Sequence, residues 1–140
     1  MIKNNLTQIL YHINALLPPF FWAGFIFFLS AQSTLPAPSL ALLNKIFTQS
    51  AHIFVYAVLH FLLWRAQRML APASTKQKFW LPLALAFLYA LLDEYHQSFT
   101  PNRDPSLTDI LCDSIGITLS QLNISHYLTY RQKKIHSHTC

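Results

Sequence analysis

All five acidic residues of the chain fall within residues 93–113, and a single base, Arg103, lies among them. The acids are Asp93, Glu94, Asp104, Asp109 and Asp113. Carboxylates can transfer protons, hold a cation or orient a histidine, and an arginine can bind a phosphate or carboxylate through two parallel hydrogen bonds. Strongly apolar segments flank this window on both sides. Acids concentrated between two apolar segments, and missing elsewhere, indicate a polar site.

A histidine at helical spacing accompanies the acids. Polar side chains recur at intervals of three and four in an earlier apolar segment, at Gln49, His52, Tyr56 and His60. A helix would carry all four on one face, which we expect to point into the protein. Interhelical hydrogen bonding is enough to explain Tyr56 and His60. We expect His52, at the depth of the acids, to act as a base or to pair with a carboxylate, because imidazole changes charge near neutral pH.

The first two acids are adjacent in sequence. Asp93 and Gln97 are four residues apart and Glu94 and Gln97 are three apart, so each pair can share a helix face. Adjacent helical residues diverge by about 100°, which predicts that one acid faces inward and the other the membrane interface. An alternative role for Glu94 is an ion pair with Arg103 that locks the following turn, since buried carboxylates in membranes usually have a partner or a function.

The last two acids follow a helix start signal. Ser106 and Asp109 have the spacing of a variant capping box, in which a hydroxyl caps the helix and an acid lies in its first turn. Asp109 and Asp113 are like charges four residues apart and repel, so a cation, a proton or Arg103 must relieve them. Two acids and a histidine also suit a divalent cation. The spacing matches no metal-binding motif, so we assign no metal ligands and no cofactor.

The composition indicates a membrane protein. Apolar residues make up 53% of the 140 residues and charged residues only 11%, against about 25% in soluble domains. The net charge of +5 comes from short basic clusters beside apolar runs, which argues against a nucleic-acid partner. The length fits a single domain, residues 1–140. Cys112 and Cys140 form no plausible disulfide framework, and we expect both to be free thiols.

Hydropathy predicts an all-α, polytopic fold with four transmembrane helices. The predicted spans cover residues 18–32, 46–64, 79–99 and 106–127. Connections are expected at 34–45 with Pro36 and Pro38, at 65–78 with Pro72, and in a tight turn at 101–105. A cleaved signal peptide is the alternative for the first span, but further apolar segments follow it.

Residues 2–17 carry apolar side chains at helical spacing. Two structures fit this pattern equally: a short amphipathic helix on the membrane surface, with a break at Pro18-Pro19 before the first span, and the first turns of one longer spanning helix.

The positive-inside rule orients the four predicted spans. Eight bases fall on one side, at Lys3, Arg65, Arg68, Lys76, Lys78, Arg131, Lys133 and Lys134, and two on the other, at Lys45 and Arg103. Both termini, including the basic tail 129–140, are therefore expected in the cytoplasm. Trp22, Trp64 and Trp80 are expected at the cytoplasmic ends of their helices. In this topology four stretches of chain bring polar residues to the outer third of the bundle.

Three blocks of the sequence resemble VanZ-like membrane proteins, a family named for a protein associated with teicoplanin resistance in bacteria. Residues 28–33, ending in Ser-Ala-Gln-Ser, are similar to the end of the family's first block. Residues 51–59, with His52 and Tyr56, resemble its His-Phe-x-x-Tyr-x-x-Leu block. Residues 93–116 resemble its longest and most specific block. In the motif-bearing core, residues 30–116, two departures occur: Gln49 and Ser50 stand where the family often has a base, and Asp113 where it often has Asn.

The resemblance implies a multi-pass protein of the bacterial cytoplasmic membrane and no particular reaction. Our first hypothesis is an outer-facing site that acts on or binds an anionic envelope component, such as a lipid or lipid-linked wall precursor, with a link to glycopeptide tolerance. Its reactive residues would be His52, Glu94 and Asp109, with Asp109 orienting His52 or Arg103. Substrate would contact Arg103, Gln97, Ser106, Tyr56 and Asp93. The alternatives are a non-catalytic binding protein, in which these residues form a structural ion network, and proton-coupled transport. Whether the chain is an enzyme stays open, as does its oligomeric state.

Overall fold

The computed structural model describes residues 2–33, 38–70, 75–101 and 103–137. These residues form four α-helices, α1 (Ile2–Ser30), α2 (Ala41–Leu70), α3 (Thr75–Gln97) and α4 (Leu107–Ser137), and no strand. The predicted all-α class is therefore confirmed for the described residues. The predictions for Pro36, Pro72 and Cys140 lie outside them. Cys112, predicted to be a free thiol, is free and buried.

The helix α1 continues through Pro18 and Pro19, so of the two possibilities for residues 2–17 the single longer helix is the one observed, and the chain does not break at the prolines. Pro18 has no N–H and cannot donate to the carbonyl oxygen of Asn14, four residues earlier. Arg65 of α2 replaces that donor: its Nη1 lies 3.0 Å from the Asn14 carbonyl oxygen, and its Nη2 lies 3.1 Å from Asn14 Oδ1. A guanidinium from the neighbouring helix thus satisfies the carbonyl oxygen that Pro18 leaves without its helical donor.

Two predicted connections were too long. The helix α2 begins at Ala41, inside the loop expected at 34–45, and it ends at Leu70, inside the connection expected at 65–78. Arg65 and Arg68 are therefore helical residues. Polar residues lie at both ends of α2. Hydropathy excludes such residues from a membrane span, but a helix can continue beyond the span and include them. The fourth helix, predicted to end at Tyr127 or a little further, runs on to Ser137.

Helices α2 and α4 pack most extensively against each other. Gly116 of α4 lies against the backbone of Ile53, where any side chain would collide with the α2 main chain. One turn further, His60 Nδ1 and Ser120 Oγ are 3.0 Å apart. Gly116 and Ser120, four residues apart, have the small-xxx-small spacing that predicts close helix packing, and both this packing and the interhelical bonding expected for His60 are confirmed. The apolar core of the bundle joins all four helices and contains Ile26, Tyr56, Leu59, Ala86, Ala90 and Ile117.

The outer surface of the bundle is apolar. Large side chains such as Phe20, 72% exposed, Phe21, 73% exposed, and Phe54, 61% exposed, point away from the core. Segments Asn5–Ser30 and Ala41–Leu70 are long and apolar enough to cross a membrane. Contiguous exposed apolar surface of this extent is typical of a protein embedded in lipid.

The helix-end position predicted for Trp22 was wrong. Trp22 lies well inside the long helix α1 and is half-buried, and its indole Nε1 donates to the Val55 carbonyl oxygen at 2.8 Å. Trp64 instead lies near the end of α2, where the Arg68 guanidinium is 5.0 Å from its ring centre. The error has a simple cause: the expected helix started at Pro18, so Trp22 was counted as near its end.

Candidate functional site

A cavity of about 100 Å³ opens at the end of the bundle where α1 and α3 end and α2 and α4 begin. Its apolar wall comes from α1 and α2 and includes Ile26, Leu29, Phe47 and Val55. Its polar lining consists of Ser30, Thr48, His52, Tyr56, Asp93, Gln97 and Arg103. Three helices and the α3–α4 turn thus contribute to one cavity that has both polar and apolar lining residues. Five of the eight predicted site residues line it.

The imidazole of His52 is held by Asp113. Their Nδ1 and Oδ1 atoms are 2.9 Å apart, and this contact is the one ion pair found within the described ranges. The Asp113 side chain is fully buried, at 0% exposure, and that of His52 is 13% exposed. Gly116 lies three residues further along α4, and the close approach of α2 to α4 there brings the two side chains within reach. Carboxylate-bound imidazole is a suitable general base or cation ligand.

Both acids of the adjacent pair are buried, with Asp93 at 5% and Glu94 at 3% exposure, so the expectation that one faces the interface was wrong. The two side chains diverge as predicted, but α3 packs against α2 and α4, so both directions lead into the protein. Asp93 points into the cavity and accepts a 3.3 Å hydrogen bond from Gln97 Nε2. Glu94 points toward α4, where its Oε2 accepts a 2.7 Å hydrogen bond from the backbone N–H of Ser106.

Glu94 completes the cap of α4 from a different helix. The Ser106 hydroxyl accepts from the Asp109 backbone N–H at 3.4 Å, as the capping pattern predicted. In a capping box the residue at the third helical position returns a hydrogen bond to the backbone N–H of the cap residue. Here Glu94, not Asp109, accepts from the Ser106 N–H. This contact is a structural role for Glu94 that the sequence spacing did not predict.

Arg103 does not pair with Glu94, so the ion pair considered from the sequence is not formed. Its Nε donates to the Gln32 carbonyl oxygen at 3.2 Å, which ties the α3–α4 turn to the end of α1. Within the described ranges the two terminal amino groups of the guanidinium have no hydrogen-bond partner, and the side chain lines the cavity. The guanidinium therefore retains the planar edge with which arginine binds phosphates and carboxylates.

Asp109 does not orient His52 or Arg103 through a hydrogen bond in the part of the chain that the structure describes. It lies instead with Ser106, Lys45 and Gln49 along a second, more open depression between the starts of α2 and α4. The predicted site is thus divided: five residues line the cavity, Ser106 and Asp109 line the depression, and Glu94 is buried between them.

Asp113 contacts His52 but was not among the predicted site residues. The repulsion between Asp109 and Asp113 indicated that one of them needs a positive partner, and His52 at the same depth was the available signal. With Glu94, the pair forms a compact group: ligand atoms of His52, Glu94 and Asp113 all lie within 4.8 Å of one another. Within the described ranges, Glu94 Oε1 and Asp113 Oδ2 are buried and have no hydrogen-bond partner.

Comparison with known proteins supports the resemblance seen in the three sequence blocks. The VanZ/LLP1 family model matches residues 15–125, a range that includes α1 from Ala15, all of α2 and α3, and most of α4. No curated protein and no solved structure matches the chain. Because the family model covers well over half of the sequence and contains every residue of the cavity, this chain belongs to the VanZ/LLP1 family.

Proposed function

We propose that this chain is a four-pass protein of the bacterial cytoplasmic membrane whose cavity binds the anionic headgroup of an envelope lipid or lipid-linked wall precursor on the extracytoplasmic side. Both termini lie in the cytoplasm in this proposal, as the distribution of lysine and arginine favours. Helices α3 and α4 complete the span count, although their polar residues make them less hydropathic than α1 and α2.

The observation that carries the proposal is the position of Arg103. Its side chain lines a cavity that also has apolar lining residues, and its terminal amino groups have no hydrogen-bond partner within the described residues. A phosphate with an attached acyl or prenyl chain would suit this cavity. Its anionic group would bind Arg103, and its apolar chain would contact Phe47, Val55 and the surrounding lipid. The single base and the apolar wall together favour an amphipathic anion over a free ion.

The remaining polar residues suit proton transfer to or from the bound group. His52, held by Asp113, faces the cavity, and Gln97 and Tyr56 can fix the headgroup by hydrogen bonds. In this proposal Asp113 takes the orienting role that the sequence suggested for Asp109. A link to glycopeptide tolerance follows if the ligand is a lipid-linked wall precursor.

Lipid retention tests the proposal. The protein would be placed in nanodiscs containing phosphatidylglycerol and phosphatidylcholine, and bound lipid would be counted by native mass spectrometry. We expect wild type to retain phosphatidylglycerol and Arg103→Gln to lower retention about tenfold, because a charge-assisted hydrogen bond contributes about 1.5 kcal/mol or more. Arg68→Gln is the matched control, since Arg68 is exposed on α2 and stacks on Trp64 away from the cavity. Equal retention by both variants would refute binding at Arg103.

A structural ion network is the second candidate, and the ion pair between His52 and Asp113, at 2.9 Å beside the buried Glu94, is the observation that favours it. His52→Gln and Glu94→Gln discriminate between the two. If the residues act on a ligand, both variants accumulate and melt like wild type. Neither variant then reverses the loss of tolerance or the change in lipid composition that deletion of the gene causes. If the residues are structural, both variants fail to accumulate.

A further inference from the structure

We infer that His52, Glu94 and Asp113 form a binding site for one divalent transition-metal cation, such as Mn²⁺ or Zn²⁺. The three side chains come from α2, α3 and α4, and no two of them are close in sequence. That separation explains why no metal motif is visible in the chain. The inference does not depend on the proposed lipid ligand.

The distances fit one coordination shell. In a site with bonds of about 2.1 Å, neighbouring ligand atoms lie about 3.0 Å apart and opposite ones about 4.2 Å apart. His52 Nδ1 and Asp113 Oδ1 are 2.9 Å apart, and a cation bound by the deprotonated ring nitrogen would replace the hydrogen bond between them. One ligand atom from each of the three residues lies within 4.8 Å of the other two, so a shift of about half an ångström would bring them to the distances of one shell.

The unused oxygens point to a missing partner. Glu94 Oε1 and Asp113 Oδ2 are buried carboxylate oxygens without a hydrogen-bond partner in the described part of the chain. Glu94 is 3% and Asp113 0% exposed. Buried polar atoms are normally paired, and each exception requires an explanation. The other Glu94 oxygen is fixed by the Ser106 N–H at 2.7 Å, as metal-binding carboxylates commonly are.

The balance of charges at this end of the bundle favours a bound cation, because the protein's own bases do not neutralise the buried acids. Three acids, Asp93, Glu94 and Asp113, are buried at this end of the bundle. Arg103 donates to a backbone carbonyl and Lys45 is exposed, so His52 is the one basic side chain in contact with an acid among the described residues. A divalent cation would neutralise Glu94 and Asp113 together, which lowers the cost of burying both in a membrane.

The ligand types select the metal class. Mg²⁺ and Ca²⁺ prefer shells made of oxygen atoms, whereas imidazole favours transition metals, and Zn²⁺ and Mn²⁺ accept a mixed set of nitrogen and oxygen. Three protein ligands leave coordination positions free. Because His52 also lines the cavity, those positions would lie beside it.

Manganese itself is the probe for the first experiment. Full-length protein in detergent, stripped with a chelator and without added lipid, would be titrated with Mn²⁺, and free Mn²⁺ followed by electron paramagnetic resonance. We expect one saturable site per chain and, in spin-echo spectra of the bound ion, modulation from a coordinated imidazole nitrogen. Absence of saturable binding, or bound Mn²⁺ without nitrogen modulation, would overturn the inference, and neither result depends on a variant that must fold.

Substitutions then locate the ion. Asp113→Asn and Glu94→Gln should each weaken Mn²⁺ binding by more than about tenfold, because even the partners of metal ligands change affinity by about 10–100-fold. Asp104→Asn is the control, since Asp104 is an exposed acid in the nearby turn. Wild-type affinity in both ligand variants would overturn the site. Arg103→Gln should keep the metal while losing the lipid, so failure of the lipid proposal can be told apart from failure of this one.

Discussion

Gly116 of α4 and Ile53 of α2 are in backbone contact: a Cβ atom at Gly116 would overlap the Ile53 carbonyl oxygen and lie 2.9 Å from its carbonyl carbon. This close approach lies one turn from Asp113 on α4 and next to His52 on α2. The His52–Asp113 contact therefore depends on a position where only a hydrogen atom fits.

Gly116→Ala should destabilise the protein by about 1–3 kcal/mol, because the obstructing atoms are backbone atoms and cannot rotate away. Thermal unfolding in detergent measures the effect. Gly24→Ala is the matched control, since nothing lies within 4 Å of the position of its added Cβ. Alanine is favoured over glycine in helices by up to about 1 kcal/mol, so this variant should melt at or above the wild-type temperature. Similar melting temperatures for the two variants would contradict the close packing.

The contact of Arg65 with Asn14 predicts an energetic coupling to Pro18. Arg65→Gln should cost about 1 kcal/mol of folding free energy, since it removes donors from a carbonyl that Pro18 leaves without its helical partner. Pro18→Ala restores that partner, so the cost of Arg65→Gln should fall by about 0.5 kcal/mol or more in the double variant. A double-mutant cycle from unfolding free energies gives the coupling. Additive effects would show that Arg65 does not replace the missing N–H.

The hydrogen bond between His60 and Ser120 predicts a modest stability effect away from the cavity. Ser120→Ala should cost about 0.6 kcal/mol, the average for interhelical hydrogen bonds in membranes. Thr118→Ala is the comparison, because Thr118 is exposed and bonds only to the Ser114 carbonyl oxygen of its own helix. It should change stability by less than about 0.5 kcal/mol. Ligand retention should be unchanged in both, and a loss in Ser120→Ala would place His60 in the site.

Glu94 allows its structural and chemical roles to be measured separately. Glu94→Gln keeps an oxygen that can accept from the Ser106 N–H, whereas Glu94→Ala leaves that buried donor unpaired. We expect a cost of about 1–3 kcal/mol for the alanine variant and less than about 1 kcal/mol for glutamine. Unfolding free energies in detergent provide the test. Equal destabilisation by both substitutions would mean that the charge of Glu94, not its cap of α4, stabilises the fold.

The four helices, the membrane class and the grouping of His52 with the acids at one end could be predicted from the sequence. Apolar runs and the spacing of polar residues can be read directly along the chain. The blocks that resemble the VanZ-like family contain the same histidine and acids. The cap at Ser106 and the close packing at Gly116 were also predictable, because each follows from the chemistry of a short motif.

Other features were decided by contacts between helices that are distant in sequence. The donor to the Asn14 carbonyl oxygen, which Pro18 leaves without its helical partner, is Arg65, 47 residues beyond the proline. Asp93 and Glu94 are both buried because α3 is covered on two sides, and a helical pattern alone shows only their divergence. The choice of Asp113 over Asp109 as the partner of His52 depends on the relative rotation of α2 and α4. Local sequence sets which face of a helix is polar, but only tertiary packing sets what that face meets.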